Sequence, residues 1–155
     1  MKILMVCLGN ICRSPIADGL LRKKVKNNNL SIFVDSAGTS GFHEGETPDK
    51  RMISTANYKG TPIDFLRARR FVPADFDEFD LILAMDDSNR DDLLEMARNE
   101  SDKHKIHLLI GPITDQEEGK VPDPYYGTLD DFEEVYDIVD QATDILVQKI
   151  ISNKL

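Results

Sequence analysis

The chain has 155 residues, of which 41% are hydrophobic and 30% charged, and its formal net charge is −9. This size and composition are typical of one globular domain, so a single domain is predicted over residues 1–155. The negative charge argues against binding to nucleic acid or anionic membranes, and no segment approaches the ~20 apolar residues of a membrane span. Two cysteines are too few for a disulfide framework, and a reducing cytoplasm is the expected location.

The first predicted elements are a strand and a helix. Residues 2–6 form an apolar run, typical of a strand covered on both faces and too short for a signal peptide. Ser14 followed by Pro15 predicts a helix N-terminus with Ser14 as the N-cap. A second strand is predicted over residues 32–34, followed by a glycine-rich loop over residues 36–41.

The rest of the chain continues to alternate between strands and helices. Thr47 is the predicted N-cap of a helix that ends near Gly60. The last helix is predicted to begin at Asp130, with Glu133 completing a capping box. Between these helices lie two strand-like runs and one further helix, at residues 81–85, 106–110 and 86–99. The alternation predicts an α/β fold, in which a four-stranded parallel twisted sheet has helices on both faces.

The loop after the first strand carries the clearest functional pattern. Cys7 is followed by five residues, then by Arg13 and the hydroxyl residue Ser14, between a predicted strand and a predicted helix. Backbone N–H groups that lead into a helix N-terminus favour an anion, and Gly9 and Asn10 tolerate the left-handed backbone that a tight loop needs. The pattern therefore predicts a phosphate-binding loop. Its predicted phosphate ligands are the N–H groups of Leu8, Gly9, Asn10, Ile11, Cys12 and Arg13, together with the Arg13 side chain.

The chemistry of this loop follows from its residue types. A thiol beside an arginine at a helix N-terminus ionises readily, which would make Cys7 a nucleophile. The planar guanidinium of Arg13 can hold two phosphoryl oxygens at once. The alternative is that Cys7 is a buried cysteine at a strand end and Arg13 a surface residue.

On these residues the chain resembles the low-molecular-weight protein tyrosine phosphatases. The resemblance covers nearly the whole chain and rests on four segments that match in order and spacing: VCLGNICRSP at residues 6–15, VDSAGT at 34–39, MD at 85–86 and DPYYG at 123–127. It implies that the substrate is phosphotyrosine, which the residues alone do not specify.

A thiolate that attacks phosphorus needs an acid to protonate the leaving oxygen. Asp123 lies between two prolines and is followed by two tyrosines, so its backbone is restricted and its side chain can be shielded from water. The sequence pattern alone favours a plain Asp-Pro turn. The resemblance assigns the general acid to Asp123.

Further roles are implied by the resemblance. Asn10 and Ser36 match residues that hold the loop in shape, and Ser14 matches one that donates a hydrogen bond to the thiolate. Asp86 is predicted to support the loop as a structural cap rather than as a catalytic group. Cys12 matches a second cysteine that can form a disulfide with the oxidised nucleophile.

The resemblance also implies an aromatic rim around the substrate ring, made of Phe42, Tyr125 and Tyr126. His43 lies near this rim. The chain departs from the family at residues 59–71, where many members have histidines that support the hydroxyl matching Ser14 and this chain has none. The three arginines of that stretch, Arg67, Arg69 and Arg70, are predicted to form a solvated basic face.

The predicted activity is that of a tyrosine phosphatase working through a phosphocysteine on Cys7, with no cofactor and no metal. Expected partners are phosphotyrosine proteins or peptides, the product is inorganic phosphate, and a monomer is expected. Three alternatives stay open: an arsenate reductase-like thiol enzyme, a cysteine phosphocarrier domain and an inactive phosphotyrosine-binding module. The first normally needs cysteines far downstream, whereas none follows Cys12.

Overall fold

A computed structural model describes all 155 residues of the chain. Its strands are β1 (Lys2–Cys7), β2 (Phe33–Gly38), β3 (Leu81–Ala84) and β4 (Ile106–Leu108). Its α-helices are α1 (Arg13–Asn27), α2 (Lys50–Tyr58), α3 (Asp75–Glu78), α4 (Asp87–Met96), α5 (Glu100–His104) and α6 (Leu129–Ile151), and Pro112–Thr114 form a 3₁₀ turn. None of the helices combines the length and apolar character needed to cross a membrane.

The four strands form one sheet in the order β2-β1-β3-β4, and every neighbouring pair is parallel. The predicted α/β fold is therefore confirmed. The chain passes from β1 to β2 on one side and then returns to β3 on the other side, so the strand order reverses at β1. In open parallel sheets this reversal leaves a crevice beyond the carboxyl ends of the strands, where ligands bind. Cys7 is the last residue of β1.

Two apolar clusters cover the two faces of the sheet. Side chains alternate along a strand, so Ile3 and Met5 enter the larger cluster with α1, α2 and α6, whereas Leu4 and Val6 enter the smaller cluster with Phe76 and α4. These four β1 side chains are fully buried. The strand that carries Cys7 is thus fixed from both sides.

Several predicted helix N-termini are wrong by one or two residues, and the reasons are local. Helix α1 begins at Arg13 and its N-cap is Cys12, because the side chain of Ser14 faces the Cys7 sulfur instead of capping the helix. Helix α2 is capped by Asp49, not Thr47, because the Asp49 carboxylate accepts from the Arg51 N–H group at 2.8 Å.

Helix α6 begins one residue earlier than predicted, at Leu129. Thr128 is its N-cap, and the capping box is completed by Asp131 rather than Glu133. Strand β2 is longer than predicted and includes Ser36, Ala37 and Gly38. These three residues extend the strand because they pair with the end of β1, from Met5 to Cys7.

Candidate active site

The loop between β1 and α1, residues 7–13, is called the cysteine loop below. It turns sharply at Asn10, whose φ of 56° is in the left-handed region that asparagine tolerates. Gly9 has no such backbone angle, so the predicted need for a left-handed glycine there is wrong. The loop packs closely on the end of β2, where a β-carbon on Gly38 would lie only 2.7 Å from the Leu8 carbonyl oxygen. The N–H group of Thr39 donates to the Cys7 carbonyl oxygen at 2.9 Å and fixes the base of the loop.

The backbone N–H groups of this loop are unusual in having few partners. Those of Leu8, Gly9, Ile11, Cys12 and Arg13 donate no hydrogen bond within the protein, whereas that of Asn10, also predicted as a phosphate ligand, donates to the Cys7 sulfur. Helix α1 has no side-chain cap either, so the positive end of its dipole faces the same space. Backbone N–H groups that converge at a helix N-terminus bind anions, so a cluster of five free donors here indicates a site for an anion.

Two hydrogen-bond donors lie beside the Cys7 sulfur. Ser14 Oγ lies 3.0 Å from the sulfur, and the N–H group of Asn10 donates to it at 3.3 Å. Asn10 Nδ2 donates to Ser14 Oγ at 2.8 Å. Because Nδ2 can only donate, Ser14 Oγ accepts this bond and keeps its own hydrogen for the sulfur. Asn10 thus supplies support to Ser14 in a chain that lacks the family's histidines.

Arg13 is 4% exposed and is held in place before any substrate binds. Its Nη1 donates to Asp86 Oδ2 at 2.5 Å and to the Val121 carbonyl oxygen at 3.2 Å. Burial lowers the pKa of this guanidinium, but the neighbouring Cys7 and Asp86 outweigh burial and hold its pKa above the usual value. Asp86 also caps α4 by accepting from the Asn89 N–H group at 2.8 Å, so it is both a helix cap and a support for Arg13.

Asp123 lies on the opposite side of the same space. Its Oδ2 is 3.8 Å from Arg13 Nη2, and its Oδ1 accepts from the Tyr125 N–H group at 3.1 Å. The side chain is 46% exposed. The N–H group of Val121 donates to the Met85 carbonyl oxygen at 2.8 Å, which attaches this segment to the end of β3.

These groups surround one cavity of about 310 Å³, with Cys7 at its base. The walls combine the cysteine loop, the glycine-rich loop after β2 and the segment around Asp123. The lining residues are Cys7, Leu8, Gly9, Ile11, Cys12, Arg13, Ser40, Phe42, His43, Asp123, Tyr125 and Tyr126. The predicted nucleophile, phosphate ligand, acid and rim are therefore brought together.

Comparison with known proteins agrees with this geometry. The family model described as low molecular weight phosphotyrosine protein phosphatase matches residues 2–154. The chain belongs to this family. It is 46% identical over 138 residues to the human low molecular weight phosphotyrosine protein phosphatase, covering 87% of this chain and 86% of that protein. It is 39% identical over 146 residues to the Streptomyces coelicolor low molecular weight protein-tyrosine-phosphatase, covering 92% and 88%.

Solved structures of the family have the same fold. A protein tyrosine phosphatase from Entamoeba histolytica, crystallised with Hepes in its active site, superposes with a TM-score of 0.93 at 40% identity. The match covers 100% of this chain and 99% of that one. The resemblance inferred from the sequence is confirmed, and membership of a phosphatase family supports neither the arsenate reductase nor the phosphocarrier alternative.

The aromatic residues predicted for the phosphatase rim lie at the mouth of the cavity. Phe42 and Tyr126 are 86% and 95% exposed, and Tyr125 is 37% exposed. The rings of Tyr125 and Tyr126 meet edge to face, with centroids 4.9 Å apart. Phe42 forms a similar edge contact with His43 at 5.1 Å. Exposed rings on two sides of a cavity can contact a flat ligand between them.

One predicted support of the phosphatase loop is wrong. Ser36 forms no side-chain hydrogen bond with the cysteine loop, because it pairs with Met5, two residues before the loop begins. Its hydroxyl instead lies near the Asp18 carboxyl of α1. Burial raises the pKa of the Asp18 carboxyl, although interactions with Arg22 and Ser36 oppose this effect.

The predicted basic face is only partly correct. Arg69 is not free in solvent: it pairs with Asp35 and Asp75. The side chains of Arg67 and Arg70 are exposed and form no ion pair, as predicted for the whole stretch. The Arg70 backbone N–H group donates to Glu44 Oε1 at 3.4 Å.

Sequence reasoning missed Arg51 of α2. Its Nη2 donates to the Tyr125 carbonyl oxygen at 2.9 Å, and its guanidinium lies 5.6 Å from the Tyr125 ring centroid. Asp49 holds Arg51 through two further hydrogen bonds, at 3.1 and 2.9 Å. Arg51 therefore connects α2 to the less exposed tyrosine of the rim. No sequence motif predicts this contact, since 74 residues separate Arg51 and Tyr125 in the sequence.

The two cysteines of the loop have different surroundings. Both are free thiols and both are buried. Burial, followed by the charges of Asp49, Cys7 and Asp123, raises the pKa of the Cys12 thiol well above its usual range. Cys12 has no hydrogen-bond donor comparable with Ser14, so it is a neutral thiol at physiological pH. The predicted disulfide between Cys7 and Cys12 stays a prediction.

Proposed function

We propose that this protein hydrolyses phosphotyrosine in proteins or peptides through a phosphocysteine on Cys7. The observation that carries the proposal is the set of five unpaired N–H groups and one buried arginine arranged around a single sulfur. A phosphoryl group has three equatorial oxygens, which these donors can bind while the sulfur faces phosphorus.

In the first step the Cys7 thiolate attacks phosphorus, and the bond from phosphorus to the tyrosyl oxygen breaks. Asp123 donates its proton to that oxygen, so tyrosine leaves as a neutral phenol. Arg13 and the N–H groups of the cysteine loop bind the charge that spreads over the equatorial oxygens. The 3.8 Å separation of Asp123 Oδ2 and Arg13 Nη2 supports this division of roles, because the acid lies beside the bound phosphoryl group.

In the second step water attacks the phosphocysteine. Asp123, now ionised, accepts a proton from the water while the bond from phosphorus to sulfur breaks. The products are inorganic phosphate and the Cys7 thiolate, which the Ser14 hydroxyl and the Asn10 N–H group stabilise. The enzyme returns to its starting state without any cofactor.

The depth of the site favours aryl over alkyl phosphates. Cys7 is 3% exposed at the base of the cavity, whereas Phe42 and Tyr126 project at the mouth. A tyrosyl ring spans this depth and packs against the aromatic rings, while the backbone of a phosphoprotein stays outside. A phosphoserine side chain is too short to bring its phosphate to the sulfur in the same way.

The remaining parts of the proposal concern the setting of the enzyme. It acts as a single-domain monomer in the cytoplasm, and Cys12 forms a disulfide with Cys7 when the nucleophile is oxidised. The shared position of both thiols in one short loop supports this pairing.

The test is hydrolysis of an aryl phosphate in the presence of a chelator, comparing wild type with Cys7→Ser. The wild type is expected to release phosphate, and Cys7→Ser to lose turnover by at least about 10⁴-fold while still binding vanadate or phosphate. Substantial activity in Cys7→Ser would show that another group is the nucleophile. Activity that chelator abolishes would contradict the metal-independent mechanism.

A further inference from the structure

The side chain of Arg69 is fixed between two carboxylates behind the cysteine loop. Its Nε donates to Asp35 Oδ2 at 3.1 Å, and its Nη1 and Nη2 donate to the two oxygens of Asp75, each at 3.1 Å. Asp35 belongs to β2 and Asp75 begins α3. Burial lowers the pKa of Arg69, but the bonds to Asp75 and Asp35 outweigh burial and raise it. The guanidinium is therefore a permanent cation in a fixed position.

The backbone of the same residue contacts the catalytic region. The N–H group of Arg69 donates to Asn10 Oδ1 at 3.0 Å, and its carbonyl oxygen accepts from the Gly38 N–H group at 2.9 Å. Gly38 is the register partner of Cys7. Fixing the side chain of Arg69 thus fixes both a donor to the cysteine loop and the strand beside it.

The bond from Arg69 decides which way the Asn10 carboxamide faces. With Oδ1 held by the Arg69 N–H group, Nδ2 faces Ser14 and can only donate to its hydroxyl. The hydroxyl hydrogen is then directed to the Cys7 sulfur at 3.0 Å. The Ala37 carbonyl oxygen, 3.5 Å away, is the competing acceptor for that hydrogen. If the carboxamide turns, Ser14 can donate elsewhere and the thiolate loses a hydrogen bond.

We propose that Arg69 is a positioning residue whose ion pairs with Asp35 and Asp75 orient Asn10 and, through Ser14, stabilise the Cys7 thiolate. This inference rests on the proposed function, since it assigns a role in activating the same nucleophile. Arg69 lies in the stretch where the chain has no histidine, so its backbone N–H group helps to organise the hydroxyl that histidines support in many relatives.

The first experiment measures the pH dependence of Cys7 alkylation by iodoacetamide, with the labelled residue identified by mass spectrometry. In Arg69→Met the midpoint is expected to rise by about one pH unit, which is about tenfold slower alkylation below the midpoint. Arg69→Lys retains the charge and is expected to restore part of the shift. The matched control is Arg98→Met, because Arg98 pairs with Asp77 of the same short helix α3 and with Asp102, without contacting the cysteine loop. An equal shift of the alkylation midpoint in Arg98→Met would show that the shift in Arg69→Met comes from general destabilisation, and would overturn the proposal.

In Asp75→Asn, a purely electrostatic effect and a positioning effect are expected to shift the Cys7 alkylation midpoint in opposite directions. Removing a negative charge favours a nearby thiolate, so a purely electrostatic effect lowers the alkylation midpoint. Loosening Arg69 removes the orienting bond to Asn10, so positioning raises the midpoint, by about half a pH unit. This variant also serves if Arg69→Met does not fold. A lower midpoint in Asp75→Asn would overturn the proposal.

A double-mutant cycle tests the route through Ser14. In a Ser14→Ala background the hydrogen bond to the sulfur is already lost, so Arg69→Met is expected to cause no further shift in the midpoint. A full additional shift would mean that Arg69 acts by another route. Aryl phosphate hydrolysis by the wild type is measured on the same preparation. If the wild type is inactive, the proposed function is wrong. The alkylation midpoints then still test whether Arg69 positions Asn10 and Ser14.

Discussion

The two sides of the cavity are built differently. On the inner side, the polar residues Asn10, Arg13 and Ser14 are at most 4% exposed and hydrogen-bonded to one another or to neighbouring strands. On the outer side, Asp123 is about half exposed and Tyr126 is almost fully exposed. The inner side holds its shape without a substrate, whereas much of the outer side becomes buried only when a ligand covers it.

The difference indicates how the catalytic work is divided. Donors that are fixed in advance stabilise a developing negative charge without reorganising, so the inner side should contribute most of the rate enhancement. An exposed acid and exposed rings contribute through the substrate they contact, so the outer side should set proton transfer and affinity. Substitutions on the two sides should therefore differ in size and in the kinetic constant that they change.

The largest effect is expected for Arg13→Lys on the inner side. A lysine keeps the charge but cannot hold two phosphoryl oxygens while also bonding Asp86 and the Val121 carbonyl oxygen. We expect kcat/KM for an aryl phosphate to fall by about 10³-fold or more. Circular dichroism establishes that the variant is folded. A loss of kcat/KM below tenfold would show that a positive charge at residue 13 is sufficient for catalysis. The proposed contrast between the two sides of the cavity would then be wrong.

The next effect is expected for Asp123→Asn on the outer side. Asparagine preserves the shape and can still accept from the Tyr125 N–H group, but it cannot donate a proton to the leaving oxygen. We expect kcat to fall by about 10²-fold for phenyl phosphate, with KM little changed.

The specific signature is the response to the leaving group. Phosphate esters of acidic phenols need little protonation, so their hydrolysis should be much less impaired in Asp123→Asn than that of phenyl phosphate. A uniform loss across a series of aryl phosphates would mean that Asp123 acts on binding rather than on proton transfer.

A smaller effect, confined to affinity, is expected for Tyr126→Ala. The ring is 95% exposed and contacts Tyr125, so removing it should leave the inner side unchanged. We expect KM for a phosphotyrosine peptide to rise about fivefold, corresponding to ~1 kcal/mol of ring contact, with kcat unchanged. Tyr58→Ala is the matched control, since Tyr58 is 85% exposed but does not line the cavity. Inhibition by inorganic phosphate should be equal in all three proteins, and a change in Tyr126→Ala would contradict a purely aromatic role.

The same contrast explains what the sequence could predict. The cysteine loop is contiguous, and its strand and its turn at Asn10 are encoded locally, so composition and spacing are sufficient to find it, although the helix after it begins two residues earlier than predicted. Asp123 lies more than 100 residues from Cys7 in the sequence, and only the family resemblance selected it among 28 acidic residues.

Contacts between distant segments were beyond sequence reasoning. The sequence predicts a solvent-exposed Arg69 because no local motif indicates that Asp35 and Asp75 form ion pairs with it. Ser36 is assigned to the loop by the family resemblance, but its register partner is Met5 and its side chain forms no hydrogen bond with the loop. Both errors concern three-dimensional pairing rather than residue chemistry.

The smallest effect on activity is expected for Cys12→Ser, although Cys12 lies on the inner side. The variant retains the backbone N–H group of residue 12, to which the phosphoryl oxygens would bind. The raised pKa of the Cys12 thiol means that this thiol is neutral at neutral pH, so the substitution removes no charge. We expect kcat/KM to change by less than about threefold, equivalent to under ~0.7 kcal/mol. In the wild type, iodoacetamide at neutral pH should label Cys7 and spare Cys12, and labelling of Cys12 should begin only as the pH rises toward its raised pKa. Equal labelling of both thiols at neutral pH would show that the loop ionises any sulfur it contains. Ser14 and Asn10 would then not stabilise Cys7 selectively. The distinction between a prepared inner side and an exposed outer side depends on that selectivity and would be wrong.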